Sequence, residues 1–503
     1  MAVTEQSSVP PQTANLIPVT NPVSGEIIGE IPVTLPEGVT EAVERARRAQ
    51  SAWGALRVEE RARLLTRWRT LLWDRQEEGI EILRRENGKT EASALLEFAI
   101  VDNIAGYYIT HGANILKPEN RRALFPIFQA AHVYHKPHGV VGIITPWNYP
   151  LMLLFVDAFA ALIAGNCVVA KPSEITPFIA DWGVELLREA GIPQDVMQLV
   201  HGDGSTGAAL VEQVDYLQFT GSTRVGRMIG KRCAERLIPY SLELGGKDPA
   251  IVLSDVDPKQ VAVSLMQGAF ENAGQACISI ERVYVEEAIY DPLVEALQVY
   301  APQMTLGTGE NATMGSLTNE NELRRTQAHI ADALEKGATL LSGGNPRPDL
   351  GPLFFEPTIL VNVDHTMDVM REETFGPVLP LMKVRDEREA IRLANDSHYG
   401  LSGTVFGKDL ARAEAVAIQI DSGDININRP GFAFGTPALP IGGQKESGMG
   451  RRNGKEGLLK YTASQSIMID KMFVAEESLV IASPFAMQAH RLVRLLRKLL
   501  PFV

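Results

Sequence analysis

Cysteine is scarce in this chain: three in 503 residues, at positions 167, 233 and 277. Three scattered thiols cannot build a disulfide framework, so a reducing compartment is the default and the cytoplasm is the expected location. Long apolar runs are missing too. The nearest to one, Leu151 to Ala164, falls short of the roughly 20 residues a membrane-spanning helix needs and carries Asp157, so it reads as a buried core helix. Positive charge is in deficit. Against 61 Asp+Glu stand 48 Lys+Arg, a net charge of -13, which excludes a general nucleic-acid binder because a phosphate polyanion needs a basic face. Met1 to Pro22 lacks the basic-then-apolar pattern of a secretion signal. Internal repeats and low-complexity linkers are absent as well. What remains is an ordinary soluble composition, 45% hydrophobic and 22% charged, in a chain long enough for roughly two to four folding units.

Glu37 to Leu56 and Glu59 to Asn87 carry apolar residues at helical spacing and predict long surface helices, with Gly88 as a stop. From Gly139 the texture changes. Short apolar runs at 140–144, 167–170, 196–200 and 216–219 are separated by ten or more residues of helical pattern. Parallel strands need such long crossovers, so a doubly wound α/β sheet follows. A second βα-rich stretch runs from Pro249-Ala250-Ile251-Val252-Leu253 through Asn426-Ile427-Asn428, which makes two α/β lobes with a boundary near Lys247. The tail differs. Over 484–503 a helical wheel gathers Ala489, Leu492, Leu495, Leu496, Leu499 and Leu500 on one face and Arg491, Arg494, Arg497 and Lys498 on the other. Such a helix either lies in a lipid interface as a peripheral membrane contact or docks on the acidic body of the protein or a partner subunit.

Two of the thiols have bland surroundings: Cys167 in an apolar strand and Cys233 in a basic helical stretch read as packing residues. Cys277 sits in Gly274-Gln275-Ala276-Cys277, downstream of Glu243-Leu244-Gly245-Gly246-Lys247, which places a candidate nucleophile and a candidate base among glycines that admit close backbone approach. The loop alone fits a protease or a thiolase equally. Phe219-Thr220-Gly221-Ser222 closes a strand and opens a helix, whose free N–H groups suit a pyrophosphate; a plain strand-to-helix turn fits the same residues. Lys171-Pro172-Ser173-Glu174 also ends a strand, where a carboxylate can accept ribose hydroxyls and repel a 2′-phosphate. Pro146-Trp147-Asn148-Tyr149-Pro150 holds an amide between two prolines, either as an oxyanion donor or as the cap of the following helix.

Together with Glu372 to Pro377 (EETFGP) and Gly442 to Arg451 (GGQKESGMGR), these motifs resemble the aldehyde dehydrogenase superfamily in order and spacing, from about Asn21 to about Thr462. The resemblance implies a Rossmann-like NAD domain at 15–118 and 138–247, a catalytic domain at 248–446, and a small β oligomerisation element at 119–137 and 462–471. It implies Cys277 as nucleophile, Glu243 as general base and Asn148 as oxyanion donor. Implied cofactor contacts are Ile144, Thr145, Pro146, Trp147, Lys171, Ser173, Glu174, Gly204, Gly221, Ser222, Leu244, Glu373 and Phe375. The cofactor is NAD, with NADP admissible, and no metal is implied. Strands near His132–Lys136 and Gln465–Asp470 are expected to pair subunits into a homodimer or homotetramer.

Two positions depart from the pattern of many members: Asp157 stands where they carry lysine, and Arg452 where they carry a second glutamate. The chain looks most like a succinate-semialdehyde branch through Cys277 to Arg282, Gly351 to Thr358 and Gly454 to Gln465. Where that branch holds the substrate carboxylate with arginines, however, this chain has Val156 and Glu271. Leu153, Leu154 and Phe155, with Phe432 and Phe434, are alternatively expected to line an apolar substrate channel or simply to be core. The expected substrate is therefore a succinate-semialdehyde-like or aliphatic aldehyde. A membrane-associated fatty-aldehyde enzyme and a non-catalytic ligand-binding scaffold are the competing readings.

Overall fold

The computed structural model of the chain describes residues 15–124 and 126–471, together with 490–491 and 494–495. The helix expected over 484–503 lies outside the described residues except for those four positions, which are helical. Among the described residues no helix is long and apolar enough to cross a membrane. The chain divides into two compact units, one of 15–116 and 136–463, the other of 117–135 with 464–471.

Besides a two-stranded antiparallel ribbon, Leu16–Thr20 with Ile27–Pro32, the larger unit holds two mostly parallel sheets. In the first the order is Gly448–Met449, Tyr240–Glu243, Tyr216–Thr220, Val140–Ile144, Cys167–Lys171, Met197–Leu199, all parallel except the two-residue edge strand. The strand order reverses between Val140–Ile144 and Tyr216–Thr220, which opens a crevice at their carboxyl ends, where doubly wound sheets take ligands. The second sheet runs Thr339–Ser342, Thr358–Val361, Val378–Val384, Ile280–Glu286, Asp248–Val252, Thr404–Phe406, Asn426–Ile427, again parallel but for its first strand. Central strands of both sheets are buried along their whole length, as continuous apolar runs require when helices cover both faces.

Pro150–Ile163 is buried at every position, the core helix its composition predicts. Glu59 to Asn87 is not one helix. It breaks at Arg75, whose φ of −114° and ψ of 22° leave the helical region and separate Val58–Asp74 from Gln76–Asn87. The Arg75 guanidinium bonds Glu78 and Glu189 at that corner. Nor do these helices lie on the surface alone: Trp53, Leu65, Trp68 and Leu72 are buried. Gly88 closes the last of them in a left-handed conformation, φ 80°. The helix Glu91–Leu116, mostly apolar and without a clear stripe, escaped the periodicity reading.

The smaller unit is a three-stranded sheet, ordered Thr462–Asp470, Gln129–Pro137, Glu119–Arg121.

Candidate active site

Cys277 lies at the end of a strained turn. Asn272, Ala273 and Gly274 have φ of 50°, 56° and 73°, three consecutive left-handed residues that only surrounding bonds can hold. The Gln275 amide nitrogen donates to Asn272 O at 2.9 Å and its oxygen accepts from Thr318 N at 2.9 Å. A side chain at Gly274 would meet Gly376 O at 2.2 Å, and one at Gly246 would meet Cys277 O at 2.2 Å. The glycines of both motifs are thus explained by backbone packed against backbone around the thiol.

Asn148 is buried and donates its amide to Gln275 O at 2.9 Å, which leaves its second N–H for the cavity. Its own backbone oxygen accepts from the Lys89 ammonium at 2.9 Å and from Asn272 Nδ2 at 3.1 Å. Lys89 is in turn ion-paired with Glu97, both fully buried. No sequence motif marked this support, because Lys89 and Asn148 stand 59 positions apart.

Glu243 ends its strand with Oε1 buried and without a partner. Desolvation raises its pKa to about 7, against the opposing pull of Arg452 and Lys460. The two departures noted in the sequence prove to be one ion pair. Arg452 donates to Asp157 Oδ2 at 2.6 and 3.1 Å and to Thr220 Oγ1 at 3.0 Å; Lys460 and Tyr461 donate to Asp157 Oδ1 at 3.1 and 2.8 Å. Burial, then the Asp248 and Glu373 carboxylates, push the Cys277 thiol upward, so its proton must be removed during reaction.

Two cavities meet at the thiol. A crevice of about 130 Å³ is lined by Pro146, Trp147, Asn148, Gly221, Ser222, Glu243, Leu244, Glu373 and Phe375, together with Glu322 and Arg325, which the sequence reading missed. A second cavity of about 350 Å³ lies between the Glu91–Leu116, Pro150–Ile163 and Pro258–Phe270 helices and the 429–434 loop. Cys277 and Leu153 line both. Phe432 and Phe434 line the second cavity, as does Arg429, another residue the sequence reading passed over. Leu154 and Phe155 do not. Both are fully buried, and the Phe155 ring packs on Trp68 at 5.1 Å, because successive helical positions point to different faces and only Leu153 faces the thiol. Val156 is likewise core, whereas Glu271 lines the cavity.

The remaining cofactor candidates follow the carboxyl edge of the first sheet. Ile144 ends its strand and Thr145 follows it, with a buried Oγ1 that has no partner. Lys171 ends the next strand and donates to Glu174 Oε2 at 3.1 Å, beside Ser173, whose Oγ accepts from Ile175 N at 3.2 Å. Gly204 opens a helix that approaches the Ile144 and Lys171 side chains at Gly207, with open space around Gly204 itself. Glu373 accepts from Gly246 N at 3.0 Å, and Phe375 stands edge-on to Trp147 at 5.5 Å. The loop carrying them is pinned by Glu281, which accepts from Thr374 N and Phe375 N at 2.7 and 2.9 Å. The unpartnered Thr145 hydroxyl and the open space at Gly204, along the carboxyl edge of the sheet, fit a dinucleotide.

A model of the aldehyde dehydrogenase family matches residues 9–467. The chain belongs to that family. Among relatives, the "Putative succinate-semialdehyde dehydrogenase (NADP+)" of Mycolicibacterium smegmatis is 40% identical over 487 residues, covering 96% of this chain and 94% of its own. An E. coli NADP-dependent enzyme of known structure superposes with a TM-score of 0.87 at 35% identity, over 91% of this chain and 95% of that one. A Mycobacterium tuberculosis aldehyde dehydrogenase complexed with NAD+ superposes at 0.88 with 33% identity, over 92% and 96%. This aldehyde dehydrogenase accordingly oxidises aldehydes with NAD(P).

Proposed function

We propose that Cys277, Glu243 and Asn148 carry that oxidation, on an aliphatic aldehyde whose apolar body occupies the cavity beside Met152, Leu153, Ile278 and Phe434. The observation behind this is the position of Cys277, shared between that cavity and the crevice at the sheet's strand-order reversal. Cys277 Sγ, deprotonated, bonds the aldehyde carbon, and the carbonyl becomes an alkoxide facing the free N–H of Asn148. A bound NAD(P) would supply the hydride acceptor that collapse of this alkoxide requires. The Cys277 thioester that remains is hydrolysed by a water that Glu243 deprotonates, releasing carboxylic acid and thiol. The nicotinamide end would be held by Glu373 and Phe375, and the adenosine ribose by Lys171 and Glu174. Because Glu174 is paired with Lys171, its charge is partly neutralised, a reason for both NAD and NADP to be accepted. The cytoplasm and a homo-oligomer remain the proposed setting.

A second reading, a short carboxylated aldehyde such as succinate semialdehyde, is favoured by the names of relatives and by Arg429 on the cavity wall. Rapid mixing separates the steps. Glu243→Gln should give one equivalent of NADH and then stall, and Cys277→Ala should give none. Asn148→Ala should lower kcat by about 10²–10³. A steady-state rate in Glu243→Gln equal to wild type would overturn the assignment of the base. The specificity constants of hexanal and succinate semialdehyde, with and without Arg429→Ala, decide between the substrates.

A further inference from the structure

Glu271 is the one carboxylate lining the cavity of about 350 Å³ beside Cys277, and it also lines an adjoining cavity of about 560 Å³ between the start of the Glu91–Leu116 helix and the ends of the Pro258–Phe270 and Glu287–Tyr300 helices. Its Oε2 accepts a hydrogen bond from the Tyr149 hydroxyl, while Oε1 is buried with no partner. Behind Tyr149, the Lys89 ammonium lies 4.5 Å from the ring centre, but that charge is matched by Glu97. Arg429, the one cation on the cavity wall, is exposed and stacks over Phe432 at 4.6 Å. No ion pair among the described residues joins Glu271 to a cation. Inside the rim held by Arg429, the wall therefore carries one carboxylate with no ion-pair partner, in largely apolar surroundings where such an ion is costly.

A counter-charge for Glu271 is what the inner wall lacks. We infer that the aldehyde oxidised here carries a positive charge remote from its carbonyl, an ammonium or quaternary ammonium group, and that Glu271 is the residue that selects it. The inference rests on the aldehyde-oxidising assignment above and deepens it. The same carboxylate would oppose a semialdehyde whose remote end is anionic, whatever Arg429 contributes at the rim.

Three aldehydes test this with the full-length enzyme: 4-(trimethylammonio)butanal, its uncharged carbon isostere 5,5-dimethylhexanal, and succinate semialdehyde. The wild type should favour the cation over the isostere by about tenfold or more in kcat/KM, with succinate semialdehyde last. Glu271→Gln should bring the first ratio close to unity, and Glu271→Arg should move succinate semialdehyde ahead of the cation. Ratios within one variant are unaffected by any loss of folded enzyme. A wild-type preference for the isostere or for succinate semialdehyde, or a cation preference that survives Glu271→Gln, would overturn the inference while leaving aldehyde oxidation intact. No NADH from any of the three, with hexanal also inert, would instead remove the assignment on which it rests.

Discussion

Glu243 can take a proton only when ionised, and four charges decide where that happens. Facing it are Asp157 from the Pro150–Ile163 helix, Arg451 and Arg452 after the Gly448–Met449 strand, and Lys460 after the Gly454–Leu459 helix, with the Tyr216 phenol and the Cys277 thiol nearby. Burial raises the carboxyl to about 7; Arg452 and Lys460 pull it down and Asp157 pushes it up. Hydrolysis of the thioester should thus rise with pH through about 7. Removing Arg452 removes a stabiliser of the carboxylate, so Arg452→Gln should move the acid limb of kcat upward by about one pH unit. Removing Asp157 removes a repulsion, so Asp157→Asn should move it downward. Both variants break the same buried ion pair at a cost of about 3–5 kcal/mol, visible as a lower Tm. A purely structural role would move both limbs alike, and equal-sign shifts would refute the electrostatic account. The sequence showed each departure but not their partnership, since 295 positions separate the two residues and no local pattern joins them.

At the scale of elements, the site depends on loops that fit backbone to backbone. The close approach of Gly246 to Cys277 O leaves no room for a methyl group, at 2.2 Å from the position it would occupy. Gly246→Ala should therefore displace the Cys277 turn and lower kcat by about 10²-fold, as misplacement of a reacting group by about 1 Å does. Binding of NAD(P)H, followed by its fluorescence, should change less, because the Lys171–Glu174 edge lies on another strand and only the Gly246 bond to Glu373 joins the turn to the nicotinamide end. An unaltered kcat would show that the turn yields freely. The strands and turns of this architecture were legible because parallel-sheet strands are short apolar runs with long crossovers. Leu153 and Phe155 show the limit. Both are apolar on the same helix, and only the packing of Phe155 against Trp68 reveals which of them is core. The break at Arg75 was hidden for a similar reason: it depends on Glu189, a residue distant in sequence.

For the whole molecule, the smaller unit leaves an apolar sheet edge to be covered. Its strand Thr462–Asp470 is exposed at almost every position, and Ile467, Met468 and Ile469 are 38%, 57% and 44% accessible. Successive residues on a strand face opposite ways, so apolar groups emerge on both faces of a strand that is also a sheet edge. An edge of this kind pairs with another chain unless something covers it. The strands assigned from the resemblance to subunit pairing are among those that form this sheet, which supports a second copy of the chain as the cover. Replacing Ile467 and Ile469 with lysine charges one face without touching any residue of the larger unit's site. Light scattering should then report a species of lower mass than wild type. The yield of NADH in the first turnover, which draws on residues of the larger unit, should stay at one equivalent per folded subunit. A variant of wild-type mass would mean that this strand does not hold the subunits together.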